Sequence, residues 1–169
     1  MNTTEAIDSF LLFQTIERNA SELTVKAYSK DLIELMEYAE LESASTVEQM
    51  DFFLLRGFVA SLYDRQLAKS SIERKIASVR SFFSYLYKKR VLEENPARML
   101  KFPKKEKKIL NVFPYEDIER LLAAPCDTQK DNAAVARDRL ILELLYGTGV
   151  RVSELTGLNL RDIDMTGLT

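Results

Sequence analysis

Near its C-terminal end the chain sets an arginine, Arg151, just behind the turn-forming run Gly147-Thr148-Gly149 and three residues ahead of a carboxylate, Glu154. A guanidinium offers a planar fork of donors that matches the oxygens of a phosphate, and a carboxylate at this spacing can hold the fork in one orientation. The same spacing also makes an ordinary ion pair on a helix surface, worth roughly a few tenths of a kcal/mol. An arginine in the first turn of a helix opposes the macrodipole by up to about 1 kcal/mol, a disadvantage that a bound anion would remove.

A second chemistry lies in the distribution of charge. The formal net charge is only -2, yet residues 1–50 carry 3 Lys and Arg against 10 Asp and Glu, whereas residues 69–108 carry 13 against 4. A local positive excess of this size is a footprint that a phosphate backbone would exploit; its plain alternative is a solvated helix followed by a lysine-rich linker. The chain has no histidine, which removes the commonest general base and metal ligand, and its single cysteine, Cys126, has no second Cys or His to pair with. No apolar run approaches the ~18 residues of a membrane span and the N-terminus has no basic leader, so a cytoplasmic protein is expected.

These groups must be carried by helices. Apolar residues at helical spacing predict helix one over 4–18 behind a Thr cap, and helix two from Thr24 to about Ala39. A third helix follows over 51–67, and a fourth begins behind Ser70. In that fourth helix Ile72, Ile76, Val79, Phe83 and Leu86 share one side, and Ser71, Arg74, Lys75, Ser78 and Ser81 are expected together on the other. Arg80 projects nearer the apolar edge and is assigned to packing.

Asn95-Pro96 predicts a short helical turn through Leu100, after which residues 101–114 hold two prolines and five lysines with no amphipathic period, as an extended linker does. Beyond it a helix is expected over 114–124, stopped by Pro125, then one from Asn132 to Tyr146 with Leu140, Ile141, Leu144 and Leu145 as its core. A short helix over 151–155 and a strand-like alternation over 160–164 complete the reading.

Three stretches together resemble the tyrosine site-specific recombinase (phage integrase) family, in its Xer-like branch. They are SELTVKAYSKDLIELMEYAE (21–40), SSIERKIASVRSFFSYLYKKRVLEENPARML (70–100) and RDRLILELLYGTGVRVSELTGLNLRDID (137–164). The last carries a Thr-Gly-x-Arg-x-Ser-Glu-Leu frame and is the most specific. The resemblance implies a mainly α fold: a four-to-five-helix SAM-like core-binding bundle over 1–103, a basic linker over 104–113, and the first helices of a mixed α/β catalytic domain over 114–169.

It further implies double-stranded DNA with inverted half-sites as the partner, self-association as dimer or tetramer on that DNA, and no cofactor, metal, membrane or small-molecule substrate. Arg151 would grip the scissile phosphate and Glu154 would orient it. DNA contacts would come from Thr24, Lys26, Ser29 and Lys30 on helix two, from Ser71, Arg74, Lys75 and Ser78 on helix four, and from Lys104, Lys105, Lys107 and Lys108 in the linker.

In the family a tyrosine attacks the phosphodiester and a lysine and a His-x-x-Arg motif assist. This sequence stops before those elements, none of its seven tyrosines sits in the nucleophile's context, and neither Lys75 nor Lys88 matches the family's lysine. The chain as it stands is therefore expected to hold DNA without recombining it. A catalytically silent regulator of recombination sites and a helical protein-interaction module remain the alternatives.

Overall fold

The computed structural model describes residues 1–104, 112–127 and 132–163. The chain divides into two compact units, Met1–Glu106 and Lys107–Thr169.

The N-terminal unit is built on helices α1 (Thr3–Ile16), α2 (Glu22–Leu41), α3 (Phe52–Asp64) and α4 (Lys69–Lys88), with a 3-10 turn at Val47–Gln49. Side-chain caps start the first three. Asn2 Oδ1 accepts from the Thr4 amide at 3.0 Å, Ser21 Oγ from the Thr24 amide at 3.3 Å, and Asp51 Oδ1 from the Leu54 amide at 2.8 Å. The cap of α1 is thus Asn2, not a threonine. Ser70, expected to cap α4, lies inside its first turn, and the cap position is Ala68, which has no side-chain hydrogen bond to give.

Each of these helices stops in a left-handed residue that is not glycine: Asn19 (φ 49°), Ser43 (φ 62°), Gln66 (φ 53°) and Arg90 (φ 58°). The bonds from the Ala44 amide to the Ala39 carbonyl (2.8 Å) and from the Val91 amide to the Leu86 carbonyl (3.0 Å) close the helix ends around them.

Between the helices lies one apolar core containing Phe10, Leu32, Leu35, Leu55, Phe58, Leu62, Ile76, Phe82, Phe83 and Leu86. Phe10 is its hub, meeting Tyr28 and Phe82 edge-on at centroid distances of 5.4 and 5.6 Å. Burying each such side chain contributes about 1.5–3 kcal/mol, so position on the bundle is set by the apolar stripes and the charged groups are carried along.

After α4 the chain returns across the bundle. Residues 96–99 form turns rather than the helical turn expected there, with i to i+3 bonds from Arg98 to Asn95 (3.2 Å) and from Leu100 to Ala97 (3.2 Å). Ala97 and Leu100 are buried by this return. Arg80 holds it in place, donating from Nη1 to the Leu100 carbonyl (3.3 Å) and lying 5.1 Å over the Phe102 ring.

The C-terminal unit contains α5 (Tyr115–Ala123), a 3-10 turn at Ala124–Asp127, α6 (Asn132–Thr148), α7 (Val152–Gly157) and a final 3-10 turn at Leu160–Asp162. The strand expected at 160–164 is absent over the described residues. A lone strand has no partner for its backbone groups, whereas the turn has one in the Asp162 carboxylate, which accepts from the Asn159 amide at 2.9 Å. Leu140, Ile141, Leu144 and Leu145 were expected as a core, yet among the described residues of this unit only Pro125 is buried; Leu140 is 57% exposed. The reason is thin cover: among the described residues α6 packs chiefly against α5, α7 and the 3-10 turn at Ala124–Asp127. No described helix is long and apolar enough to cross a membrane.

Candidate functional site

Helix α4 divides its polar residues between two destinations. Toward α2 and α3 it sends Lys75 and Ser78, both buried, into a cluster around the fully buried carboxylate of Asp31. Lys75 Nζ donates to Asp31 Oδ1 at 3.1 Å and to Glu34 Oε2 at 2.6 Å, and Ser78 Oγ donates to Asp31 Oδ2 at 2.7 Å. Arg74 Nη1 donates to the same Oδ2, and Arg65, at the C-cap of α3, reaches Glu34 Oε1 at 2.6 Å. Burial pushes the Glu34 carboxyl up, but the hydrogen bonds and charges of Lys75 and Arg65 outweigh it, so the group sits below its ordinary value.

The expectation that Lys75 and Ser78 stand on an outward basic face is therefore corrected. Their partners lie on α2, more than forty residues back, and helical wheel geometry already hints at the outcome. At ~100° per residue, Lys75 falls about 20° beyond Leu86, between it and the buried Phe82 at the margin of the apolar arc. Likewise Asp31 lies three residues after Tyr28 and four before Leu35, on the apolar stripe of α2. A charged residue in register with a core stripe is the signal that finds such a network.

The second destination is outward. Arg74, Ala77, Ser81, Ser84 and Lys88 follow one another along α4 as cation, methyl, hydroxyl, hydroxyl, cation, each exposed or half-buried. At 1.5 Å per residue the stripe is about 21 Å long. Its upper part borders a groove of ≈ 320 Å³ shared with Thr24, Ala27 and Tyr28 of α2. Its lower part borders a cavity of ≈ 310 Å³ that Gln14, Arg18 and Tyr28 also line. Tyr28 is common to both. Ser84, Lys88, Arg18 and Tyr28 were not singled out as contact residues from the sequence, because the stripe is recognisable only once α1 and α2 are seen to wall it.

The other sequence-derived residues scatter. Lys26, Ser29 and Lys30 turn to a separate groove of ≈ 550 Å³ beside Glu34, Glu37 and Arg65, and Lys26 is paired with Glu22 at 2.7 Å. Of the expected α2 set, Thr24 alone lines the groove that Arg74 borders. Ser71 is half-buried and Lys104 exposed, while Lys105, Lys107 and Lys108 lie outside the described residues.

In the C-terminal unit Gly149 takes a left-handed φ of 67°, and its amide closes on the Leu145 carbonyl at 3.1 Å. This ends α6 and turns the chain into α7, at whose cap position Arg151 stands. Glu154 holds it twice, accepting from the Arg151 amide at 2.8 Å and from its Nη1 at 2.9 Å. The carboxylate thereby makes the reciprocal half of a capping box, reaching back from the third helical position to the cap amide, and the guanidinium is 81% exposed. Tyr146, near the end of α6, is 56% exposed.

Comparison with known proteins adds the following. Residues 7–90 match the family described as phage integrase, N-terminal SAM-like domain, and residues 111–168 match the phage integrase family. A protein of Thermodesulfovibrio yellowstonii named tyrosine recombinase XerC is 36% identical over 164 residues, covering 97% of this chain and 52% of the relative. Relatives of the same name from Pelobacter propionicus and Anoxybacillus flavithermus are 39% and 33% identical, over 96% and 99% of this chain and 53% and 55% of their own. The chain spans about half the length of the curated relatives it matches.

Proposed function

Because the chain belongs to the phage integrase family of tyrosine recombinases, in its Xer-like branch, we propose that its N-terminal unit binds duplex DNA through the outward stripe of α4 and the facing start of α2. The observation that carries the reading is the stripe itself. It puts a cation at each end and small hydroxyl or methyl groups between, so that a phosphate backbone or groove edge can approach closely. Arg18 and Thr24 add donors along the wall formed by α1 and α2.

In this reading residues 1–103 are the core-binding domain, 104–113 the basic linker and 114–169 the beginning of the catalytic domain. The complete recombinase cuts and rejoins DNA at paired, inverted half-sites through a 3'-phosphotyrosyl intermediate, self-associating as a dimer or tetramer on the DNA. Arg151 grips the scissile phosphate there, and Glu154, already bonded to its backbone and its guanidinium, keeps the fork oriented. A cytoplasmic location accords with this role.

The test is fluorescence anisotropy of labelled duplex across a salt series, comparing the chain with a Ser81→Glu, Lys88→Glu variant. Counterion release gives a slope of about -0.9 in log K per neutralised phosphate. The expected result is a slope of several units and a loss of affinity of roughly tenfold or more in the variant. Absence of binding at low salt, or a variant that binds like the parent, would sink the proposal.

A further inference from the structure

We infer that Asp31 is a positioning residue that turns Arg74 into a fixed reader of a base edge, so that this buried pair sets part of the sequence preference of the α2–α4 groove. The inference rests on the DNA-binding reading above and goes beyond it to how one contact is made specific.

Three observations lead there. Asp31 is fully buried and accepts from three α4 donors, Arg74 Nη1, Lys75 Nζ and Ser78 Oγ, so its carboxylate cannot swing. Arg74 is 45% exposed, lines the groove and, among the described residues, is tied down only through Nη1, which leaves Nη2 and Nε for a partner. Beside it Ala77 and, across the groove, Ala27 carry the smallest side chains, leaving the approach to those nitrogens open.

A phosphate clamp needs charge and tolerates mobility, as lysine contacts do. Pairing Arg74 with a buried carboxylate does the reverse: it offsets the net charge and fixes the direction of the remaining donors. Fixed direction is what bidentate recognition of a guanine O6 and N7 requires. The geometry therefore favours base reading over backbone attraction at this position, and Lys88, exposed and with no carboxylate partner among the described residues, is the contrasting case on the same stripe.

The experiment selects bound duplexes from a pool randomised over about one helical turn, using the full 169-residue chain, and measures affinities for the selected duplex and a scrambled one. The proteins are the parent, Arg74→Ala, Arg74→Lys, Asp31→Asn and the Asp31→Asn, Arg74→Ala double variant, each checked by circular dichroism. The parent should prefer guanine at one position by on the order of tenfold. Asp31→Asn should lose that preference while binding the scrambled duplex more tightly, because a negative charge near the duplex is gone. In the Arg74→Ala background, Asp31→Asn should change the preference no further.

Arg74→Lys keeps an ion pair to Asp31 and loses the fork, so it should fold and lose the preference, which keeps the inference testable even if Asp31→Asn unfolds. A preference retained in Arg74→Lys, or in a folded Asp31→Asn, would overturn it. So would an Arg74→Ala that weakens all sequences equally and lowers the salt slope by about 1, the mark of a phosphate contact. A parent that binds no duplex overturns the DNA-binding reading itself and the inference with it; a parent that binds without preference overturns the inference alone.

Discussion

Replacing Lys75 by methionine separates its buried placement from the surface role its sequence position suggests. The substitution keeps the aliphatic stem and removes the ammonium. Asp31 then loses one of three donors but retains Arg74 and Ser78, and Glu34 loses one of two but retains Arg65. Breaking a buried ion pair outright costs about 3–5 kcal/mol. Because both carboxylates keep a partner and Glu34 is partly exposed, the lower end, about 3 kcal/mol, is expected. For a unit of this size each kcal/mol moves Tm by roughly 4–8 °C, so the midpoint should fall by on the order of 15 °C.

Thermal and urea unfolding followed by circular dichroism would measure this, with Ser71→Ala as the comparison, expected to lie within about 0.5 kcal/mol of the parent. A Lys75→Met protein as stable as the parent would refute the reasoning. If that protein also failed to bind duplex DNA, Lys75 would be a surface contact after all.

Further expectations concern acid, helix ends, packing and unit stability. Glu34, held below its ordinary value, contributes stability that is present above the unfolded carboxyl pKa and is lost as pH falls through the lower folded value; Glu34→Gln should therefore flatten the acid limb of a stability-against-pH curve below about pH 4.5. Gln66→Gly should raise stability by up to about 1 kcal/mol in urea unfolding, since a left-handed side chain is replaced by a residue indifferent to that φ. A Cβ at Gly57 would stand 2.6 Å from Tyr38 Oη, so Gly57→Ala should realise the ~1 kcal/mol helix-propensity gain only when combined with Tyr38→Phe, a coupling that a double-mutant cycle would read. Amides of α5 to α7 should exchange with solvent faster than those of α4, as mass spectrometry of exchanged peptides would show, because the described part of that unit buries almost nothing.

The helices were legible from the sequence because their apolar stripes are clean. Ile72, Ile76, Val79, Phe83 and Leu86 repeat at helical spacing, and the structure buries all of them. Helix starts were less so. Ala68 and Asn2 occupy cap positions that Ser70 and a threonine were expected to fill, since the choice among neighbouring polar residues depends on how the preceding loop enters. The polar face of α4 was misread in part because a lysine is taken to point outward, and the compensating carboxylates lie on another helix, where the register of Asp31 with the apolar stripe is their one local trace. The Arg151 and Glu154 pair was legible as a contact, because three-residue spacing is a local relation.

The inward turn of Lys75 and Ser78 has a meaning for anyone redesigning the protein. The groups that lock α4 to its neighbours and the groups it offers to a partner are mostly different residues on one helix; Arg74 and Ser78 both bond Asp31 and line the groove, and Ser81 accepts from Gln14 at 3.5 Å. Positions 77, 84 and 88 can accordingly be randomised in a retargeting library with the scaffold intact, whereas positions 75 and 78 have to be inherited together with 31 and 34. Arg74, charged and belonging to both sets, is a position where a change of preference and a change of scaffold are inseparable.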